Sequence, residues 1–141
     1  MERVQINLPA KILFSYHFNI ENDDINLANH MGNERILVHA NTIRTLFFKH
    51  LNLLESNIET QLGTIVANHT INYKSEGFLG DEITCEVGVN NITECSFDLI
   101  FHFTKNKERT LALVRTGCVY YSYSERKIHA LAETFINAFT S

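Results

Sequence analysis

Residues 31–51 read MGNERILVHANTIRTLFFKHL, and this stretch decides the fold. Apolar side chains recur in it every three or four positions, at Ile36, Ala40, Ile43, Phe47 and Leu51. That spacing places them on one face of an α-helix. The apolar face is widened further by Leu37, Val38, Leu46 and Phe48. We therefore predict a long central helix that other elements of the fold cover over most of its surface.

Segments with alternating apolar residues lie on both sides of this helix. One precedes it at residues 12–20, and four follow it, at residues 65–73, 83–89, 97–103 and 111–123. Alternation with a period of two predicts β-strands, because successive side chains of a strand point to opposite faces. In the second strand the pattern places on one face Ile65, Ala67, His69, Ile71 and Tyr73. A short final helix is predicted at residues 130–139.

The order of these elements predicts an α+β fold, an antiparallel β-sheet wrapped around a long central α-helix. The chain has 141 residues, of which 45% are hydrophobic and 20% charged, so we expect one domain spanning residues 1–141. A sheet of this size cannot cover the helix fully, and its edge strands stay open to pairing. We therefore expect a homodimer or homotetramer.

Charge and cysteine content exclude several classes of partner. The formal net charge is −4 and the pI is about 5.9, so we expect neither nucleic acid nor a membrane surface as a partner. Cys85, Cys95 and Cys118 have no CxxC spacing and are expected to be reduced and buried. Because no secretory leader or membrane-spanning apolar run is apparent, we expect a cytoplasmic protein.

A lone carboxylate just before the central helix is the strongest chemical feature. Asp24 lies nine positions before Asn33, in the stretch Asp24-Ile-Asn-Leu-Ala-Asn-His30-Met-Gly-Asn33. A helix N-terminus offers unpaired N–H groups and a partial positive charge, which stabilise an anion formed on a substrate. A carboxylate facing that point can activate water or attack directly. The alternative from composition alone is an ordinary capping or loop carboxylate, and Asp23 is the nearest rival.

Three local patterns resemble the hotdog-fold acyl-CoA thioesterases typified by 4-hydroxybenzoyl-CoA thioesterase. The first is Asp24-Ile-Asn with His30-Met-Gly-Asn33, followed by an arginine further along the helix, Arg44. The second is Tyr73-Lys74 with Gly80-Asp81, and the third is Thr116-Gly117 with Lys127. Their order along the chain is similar to that of the family and covers nearly all of its length.

The resemblance implies hydrolysis of an acyl-CoA thioester, with Asp24 as general base or nucleophile. It implies oxyanion donors among the backbone N–H groups of His30, Met31 and Gly32, and a role for Asn33 in substrate contact or in holding the loop. His30 would polarise the substrate carbonyl or orient Asp24. Alternatively, it would have only a structural role, in packing and in capping the helix. Contacts to CoA and the acyl group are implied for Tyr73, Lys74, Phe78, Arg115 and Lys127. No cofactor is implied.

Two other functions remain open. Where one subgroup of the family has a glutamate two positions before the helix arginine, this chain has Thr42. That departure keeps open a protein that binds acyl thioesters without hydrolysing them. A hotdog hydratase or dehydratase is the other alternative, but those enzymes use Asp-x4-His, whereas five residues separate Asp24 from His30. No HExxH pair or Cys/His cluster with ligand spacing is present, so we expect no metal.

Overall fold

A computed structural model describes residues 3–141. The strands are β1 (Phe14–Asn19), β2 (Ser56–Asn57), β3 (Leu62–Tyr73), β4 (Glu82–Asn90), β5 (Ser96–Lys105), β6 (Arg109–Ser122) and β7 (Lys127–Ile128). The helices are α1 (Asn33–His50) and α2 (Glu133–Thr140), and a 3-10 turn spans Asn22–Asp24.

The strands form one antiparallel sheet in the order β1-β4-β5-β6-β3-β2, with β7 paired to β6. The sheet curls into a half-barrel around α1, which confirms the predicted α+β fold. Within the described chain, no helix has the length and apolar character needed to cross a membrane. β3 forms the long open side of the sheet, because β2 pairs only with Leu62 and Gly63.

The inner face of the sheet and one face of α1 form the main core. Phe47 of α1 is fully buried in the same hydrophobic core as the strand residues Phe101 and Phe103. α2 closes one end of this core through Phe135 and Phe139, whose rings pack against those of Phe48 and Phe97 at centroid distances of 4.9–6.2 Å. This aromatic packing fixes α1 in the sheet and thereby fixes where its N-terminus lies.

The outer face of the sheet is covered in part by an N-terminal arm, residues 3–13. Ile6 of the arm is buried with Ile100 of β5 and Leu113 of β6. Asn90 donates its side-chain N–H to the Asn7 carbonyl at 2.9 Å. The arm passes so close to Gly88 that a Cβ there would lie 2.5 Å from the Lys11 carbonyl oxygen. Because glycine has no Cβ, Gly88 of β4 leaves the room that the arm needs to dock on the sheet.

Three features of the fold differ from the sequence predictions. A register shift between Val66 and Asn68 bulges β3 at Ala67, so Ile65 and His69 lie on opposite faces. The short strands β2 and β7 were not predicted, since two residues cannot show a periodic pattern. Cys85 and Cys118 are buried as predicted, but Cys95 is only half-buried.

Candidate active site

A cavity of about 280 Å³ lies at the N-terminus of α1. The sequence-predicted residues that line it are His30, Met31, Gly32, Asn33 and Tyr73. The remaining lining residues were not predicted, and they are Asn26, Ile36, Ser75, Glu76, Gly77 and Leu111. Glu76 is the one carboxylate among these lining residues.

Backbone hydrogen bonds hold the loop that forms one wall of this cavity. The Met31 N–H donates to the Gly77 carbonyl at 2.8 Å, and the Gly32 N–H donates to the Asp24 carbonyl at 2.9 Å. Both N–H groups are therefore engaged, which differs from their predicted role as oxyanion donors. In the described chain, the N–H groups of Asn33 and Glu34 have no hydrogen-bond acceptor. Among the described residues, the N–H of His30, the third predicted oxyanion donor, has no acceptor either, and the free N–H groups of Asn33 and Glu34 follow Gly32 by one and two residues.

The carboxylate of Asp24 is enclosed and does not line the cavity. Asp24 is only 4% exposed. Its Oδ1 accepts from Arg35 Nε at 2.9 Å and from His39 Nε2 at 2.8 Å. Its Oδ2 accepts from the Glu21 N–H at 3.0 Å, which caps the 3-10 turn. Asp24 thus ties the turn before the loop to the first two turns of α1.

The balance of forces on Asp24 favours its charged form. Burial raises the pKa of this carboxyl, but the hydrogen bonds from the Glu21 N–H, His39 and Arg35 lower it by more, and the net pKa lies below the ordinary value. The ring of His39 also stacks on Phe18 of β1, with centroids 4.2 Å apart and planes 17° from parallel. Asp24 and its two side-chain partners, Arg35 and His39, are therefore held by the 3-10 turn, α1 and β1.

A contact with the backbone orients the ring of His30. Its Nδ1 lies 3.2 Å from the Met31 carbonyl oxygen, which can only accept a hydrogen bond. Nδ1 therefore carries the proton in the neutral ring, and Nε2 is left with a free lone pair. His30 is one of the residues that line the cavity.

Tyr73 bridges the end of β3 and the start of α1 at the cavity. Its hydroxyl donates to the Asn33 carbonyl at 2.8 Å. Burial raises the pKa of Tyr73, and the charge of Glu34 raises it further. The phenol therefore stays protonated near neutral pH and keeps its hydrogen bond.

The other predicted binding residues lie apart from the cavity. Lys74 lines a groove on the outer face, and Arg115 is paired with Thr70 next to it. Phe78 is 46% exposed, and the Lys105 ammonium lies 5.6 Å from the centre of its ring. Lys127 belongs to β7 at the far end of β6, where it forms an exposed ion pair with Glu125 at 3.4 Å.

Thr42 and Arg44, the two α1 positions that the family resemblance singled out, also lie outside the cavity lining. The exposed Thr42 donates its hydroxyl to the Val38 carbonyl at 3.2 Å. Arg44 pairs with Glu55 at 3.2 Å and donates to Asn41. Neither contact reaches the cavity in this chain.

Two signals in the sequence point to the residues that were missed. Arg35 and His39 are four positions apart, a spacing that places both side chains on one helix face. Glu21 and Asp24 have the three-residue spacing of a capping box. Together they favour an enclosed Asp24 over a substrate-facing one. Ser75 and Glu76 carry no local signal, because only the fold brings the end of β3 to α1.

Comparison with known proteins assigns the chain to a family. A family model described as the thioesterase-like superfamily matches residues 20–139. The chain therefore belongs to this superfamily, whose fold is the hotdog fold. No protein of curated function matches the chain significantly in sequence.

Solved structures share the fold at low sequence identity. A 1,4-dihydroxy-2-naphthoyl-CoA thioesterase from Synechocystis matches with a TM-score of 0.81 and 16% identity, covering 89% of this chain and 94% of its own. A gentisyl-coenzyme A thioesterase matches at 0.78 and 19%, covering 90% and 100%. A Staphylococcus aureus protein, solved in complex with CoA, matches at 0.79 and 18%, covering 94% and 85%.

Proposed function

We propose that this protein hydrolyses an acyl-CoA thioester in the cavity at the N-terminus of α1. The observation that carries the proposal is that one cavity is lined both by His30, whose Nδ1 contacts the Met31 carbonyl, and by Asn33, whose N–H has no acceptor in the described chain. A base and an oxyanion donor are the two groups that thioester hydrolysis requires. Membership of the thioesterase-like superfamily supports the same reaction.

His30 acts as the general base in this proposal. Its Nε2 takes a proton from a cavity water, and the resulting hydroxide attacks the thioester carbonyl carbon. The N–H groups of Asn33 and Glu34, with the helix dipole behind them, stabilise the oxyanion. The C–S bond then breaks, and the imidazolium returns its proton to the departing thiolate. The products are the free acid and CoA thiol.

Asp24 serves this reaction by positioning rather than by direct attack. Its carboxylate is only 4% exposed and already accepts from Arg35, His39 and the Glu21 N–H, so a water or the substrate has little access to it. The Asp24 carbonyl already holds the Gly32 N–H at the start of α1. Asp24 therefore fixes the loop that presents His30 and the helix start to the substrate.

CoA as the thiol and an acyl group of modest size fit the proposal. The fold neighbours include two named CoA thioesterases and a protein solved with CoA. The apolar part of the cavity lining comes from Met31, Ile36 and Leu111. These side chains offer an apolar wall to the acyl group, beside the polar wall of Ser75 and Glu76.

The first test is free-thiol release from a panel of short, long and aromatic acyl-CoAs. His30→Gln is expected to lower kcat at least about 10²-fold with little change in KM, because a general base acts only in the transition state. Glu76→Gln is the matched comparison, since it neutralises the cavity's carboxylate without touching His30. A full loss of activity in Glu76→Gln with an active His30→Gln would contradict the assignment of the base.

The enclosure of Asp24 favours a second candidate, a protein that binds acyl thioesters without hydrolysing them. In that case the cavity retains an intact acyl-CoA because no base is placed well enough. Recovery of the unhydrolysed thioester after long incubation, with measurable binding, would support this function. Any enzyme-dependent thiol release that His30→Gln removes would exclude it.

We further propose that the active form is a homo-oligomer in which β3 pairs with a second copy. Beyond Gly63 the outer edge of β3 has no partner strand in the described chain. Apolar side chains are exposed beside it, including Val66 at 39% and Val38 of α1 at 41%. Sedimentation equilibrium should therefore give at least twice the 16.2 kDa of one chain. A stable monomer at micromolar concentration would contradict the proposal.

A further inference from the structure

The segment between β3 and β4, residues 74–81, is irregular and forms one wall of the active-site cavity. We call it the wall segment. Its Gly77 is buried beside the loop that carries His30. The Met31 N–H donates to the Gly77 carbonyl at 2.8 Å, and a Cβ on Gly77 would lie 2.6 Å from Ile20 Cδ1. A displacement of Gly77 therefore moves the loop or breaks its hydrogen bond.

Lys105, the last residue of β5, also holds the wall segment. Its ammonium donates to the Glu76 carbonyl, which directly precedes the carbonyl of Gly77 in the chain. The same ammonium lies 5.6 Å from the centre of the Phe78 ring, within the range of a cation–π contact. The residues before and after Gly77 are thus both tied to one side chain of β5.

The turn after β5 fixes the far end of the wall segment. Asn106 donates its amide N–H to Asp81 Oδ1 at 3.1 Å, and Asp81 Oδ2 accepts the Phe78 N–H at 2.9 Å. Asn106 Oδ1 accepts the Glu82 N–H at 2.9 Å. The φ of Asn106 is 53°, a left-handed conformation in which asparagine is enriched. These bonds fix the turn against the wall segment, so the backbone of Lys105, one residue earlier, is also fixed.

The environment of Lys105 differs from that of an ordinary lysine beside a hairpin turn, whose ammonium extends into water. Its side chain is half-buried, whereas Lys107 in the same turn is exposed. Within residues 3–141, no carboxylate oxygen lies within 4.0 Å of the Lys105 nitrogen. The charge of Lys105 is therefore directed at a backbone carbonyl of the wall segment, and a hydrogen bond from a charged donor is stronger than one from a neutral donor.

We propose that Lys105 is a positioning residue for the chemistry of the cavity. Its ammonium holds the wall segment, and the Gly77 carbonyl of that segment holds the Met31 N–H. The loop that carries His30 thereby has a second support, separate from the one that Asp24 gives it. The proposal rests on the proposed function for the reaction that is served. Lys105 itself touches neither the substrate nor the reacting atoms.

The test compares Lys105→Met with Lys107→Met, which removes the same charge from an exposed position of the same turn. Hydrogen exchange of the Met31 amide, followed by NMR, is expected to be about tenfold or more faster in Lys105→Met, because the bond to Gly77 opens more easily. In thiol release from acyl-CoAs, Lys105→Met should lower kcat about tenfold and change KM less than about twofold. Lys105→Arg keeps a charged donor and should restore most of both quantities.

Three outcomes would overturn the positioning role. The first is unchanged Met31 exchange in Lys105→Met, even with a lower kcat, because Lys105 would then act through its charge alone. The second is an equal effect of Lys107→Met. The third is exchange accelerated as much at Phe101 in the core of β5 as at Met31, which would show a general loss of stability. Because exchange needs no turnover, faster Met31 exchange in Lys105→Met without thiol release by the wild type would refute the proposed hydrolysis and leave the support of the loop established.

Discussion

Replacing Asp24 with asparagine is expected to lower kcat by about 10²-fold and the free energy of unfolding by roughly 1–3 kcal/mol. The amide oxygen can still accept from Arg35 and His39, but the amide N–H₂ then faces the Glu21 N–H, so two donors meet. The loop that carries His30 loses its anchor. Thiol-release kinetics and urea unfolding of the same preparations measure the two effects.

His39→Leu, which has no side-chain donor, separates positioning by Asp24 from direct catalysis by it. If Asp24 positions the loop, the loss of one donor and of the stack on Phe18 should reproduce part of the fall in kcat, with KM nearly unchanged. If Asp24 attacks or deprotonates directly, freeing its Oδ1 from His39 should leave kcat intact or raise it. The latter result would contradict the positioning role.

The stability effect of Asp24 should depend on pH in a defined direction. The pKa of this carboxyl is lowered in the folded protein from its ordinary value of 3.8. Its stabilising contribution is therefore complete above that value and is lost as pH falls through the lower folded-state pKa. The difference in unfolding free energy between wild type and Asp24→Asn should be constant from pH 7 to about 5 and shrink below about pH 4. A constant difference down to pH 2 would contradict this assignment.

Replacing Phe47 with alanine is expected to cost roughly 3–5 kcal/mol of unfolding free energy. Phe47 is 0% exposed, and its ring lies 6.3 Å from Phe14, 5.6 Å from Phe48 and 6.3 Å from Phe139 between centroids. Truncation leaves a cavity where α1, β1 and α2 meet. Against a total stability of about 5–15 kcal/mol for a domain of this kind, that loss leaves a marginal fold.

Lys49→Ala is the control for this substitution. Lys49 lies in the last turn of the same helix and is exposed, so its truncation should change the unfolding free energy by no more than about 0.5 kcal/mol. If Phe47→Ala does not fold, Phe47→Leu keeps much of the volume and should cost less than about 1.5 kcal/mol. Equal urea midpoints for wild type and Phe47→Leu together with a stable Phe47→Ala would show that the site is loosely packed.

The secondary structure followed closely from the sequence where the periodic pattern is long. In β5, the alternation of Phe97, Leu99, Phe101 and Phe103 corresponds to four fully buried side chains on the inner face. The alternating pattern did not predict the faces correctly across the bulge in β3. One extra residue there moves every residue before it to the opposite face of the sheet. The sequence pattern also could not predict β2 and β7. These two-residue strands form by pairing with the longer strands β3 and β6.

Taken alone, the sequence determined the α+β class, the central helix and the loop before it as the candidate site, since these depend on local periodicity and on residue types close together in the chain. Only the tertiary structure decided which groups of that loop face a cavity. Asp24 is turned inward because Arg35 and His39, 11 and 15 residues later, supply donors that a buried carboxylate requires. Glu76 joins the site because the segment after β3 lies beside α1, and the N-terminal arm covers the outer face of the sheet because it docks over Gly88. Such meetings depend on contacts between distant segments, which no local pattern records.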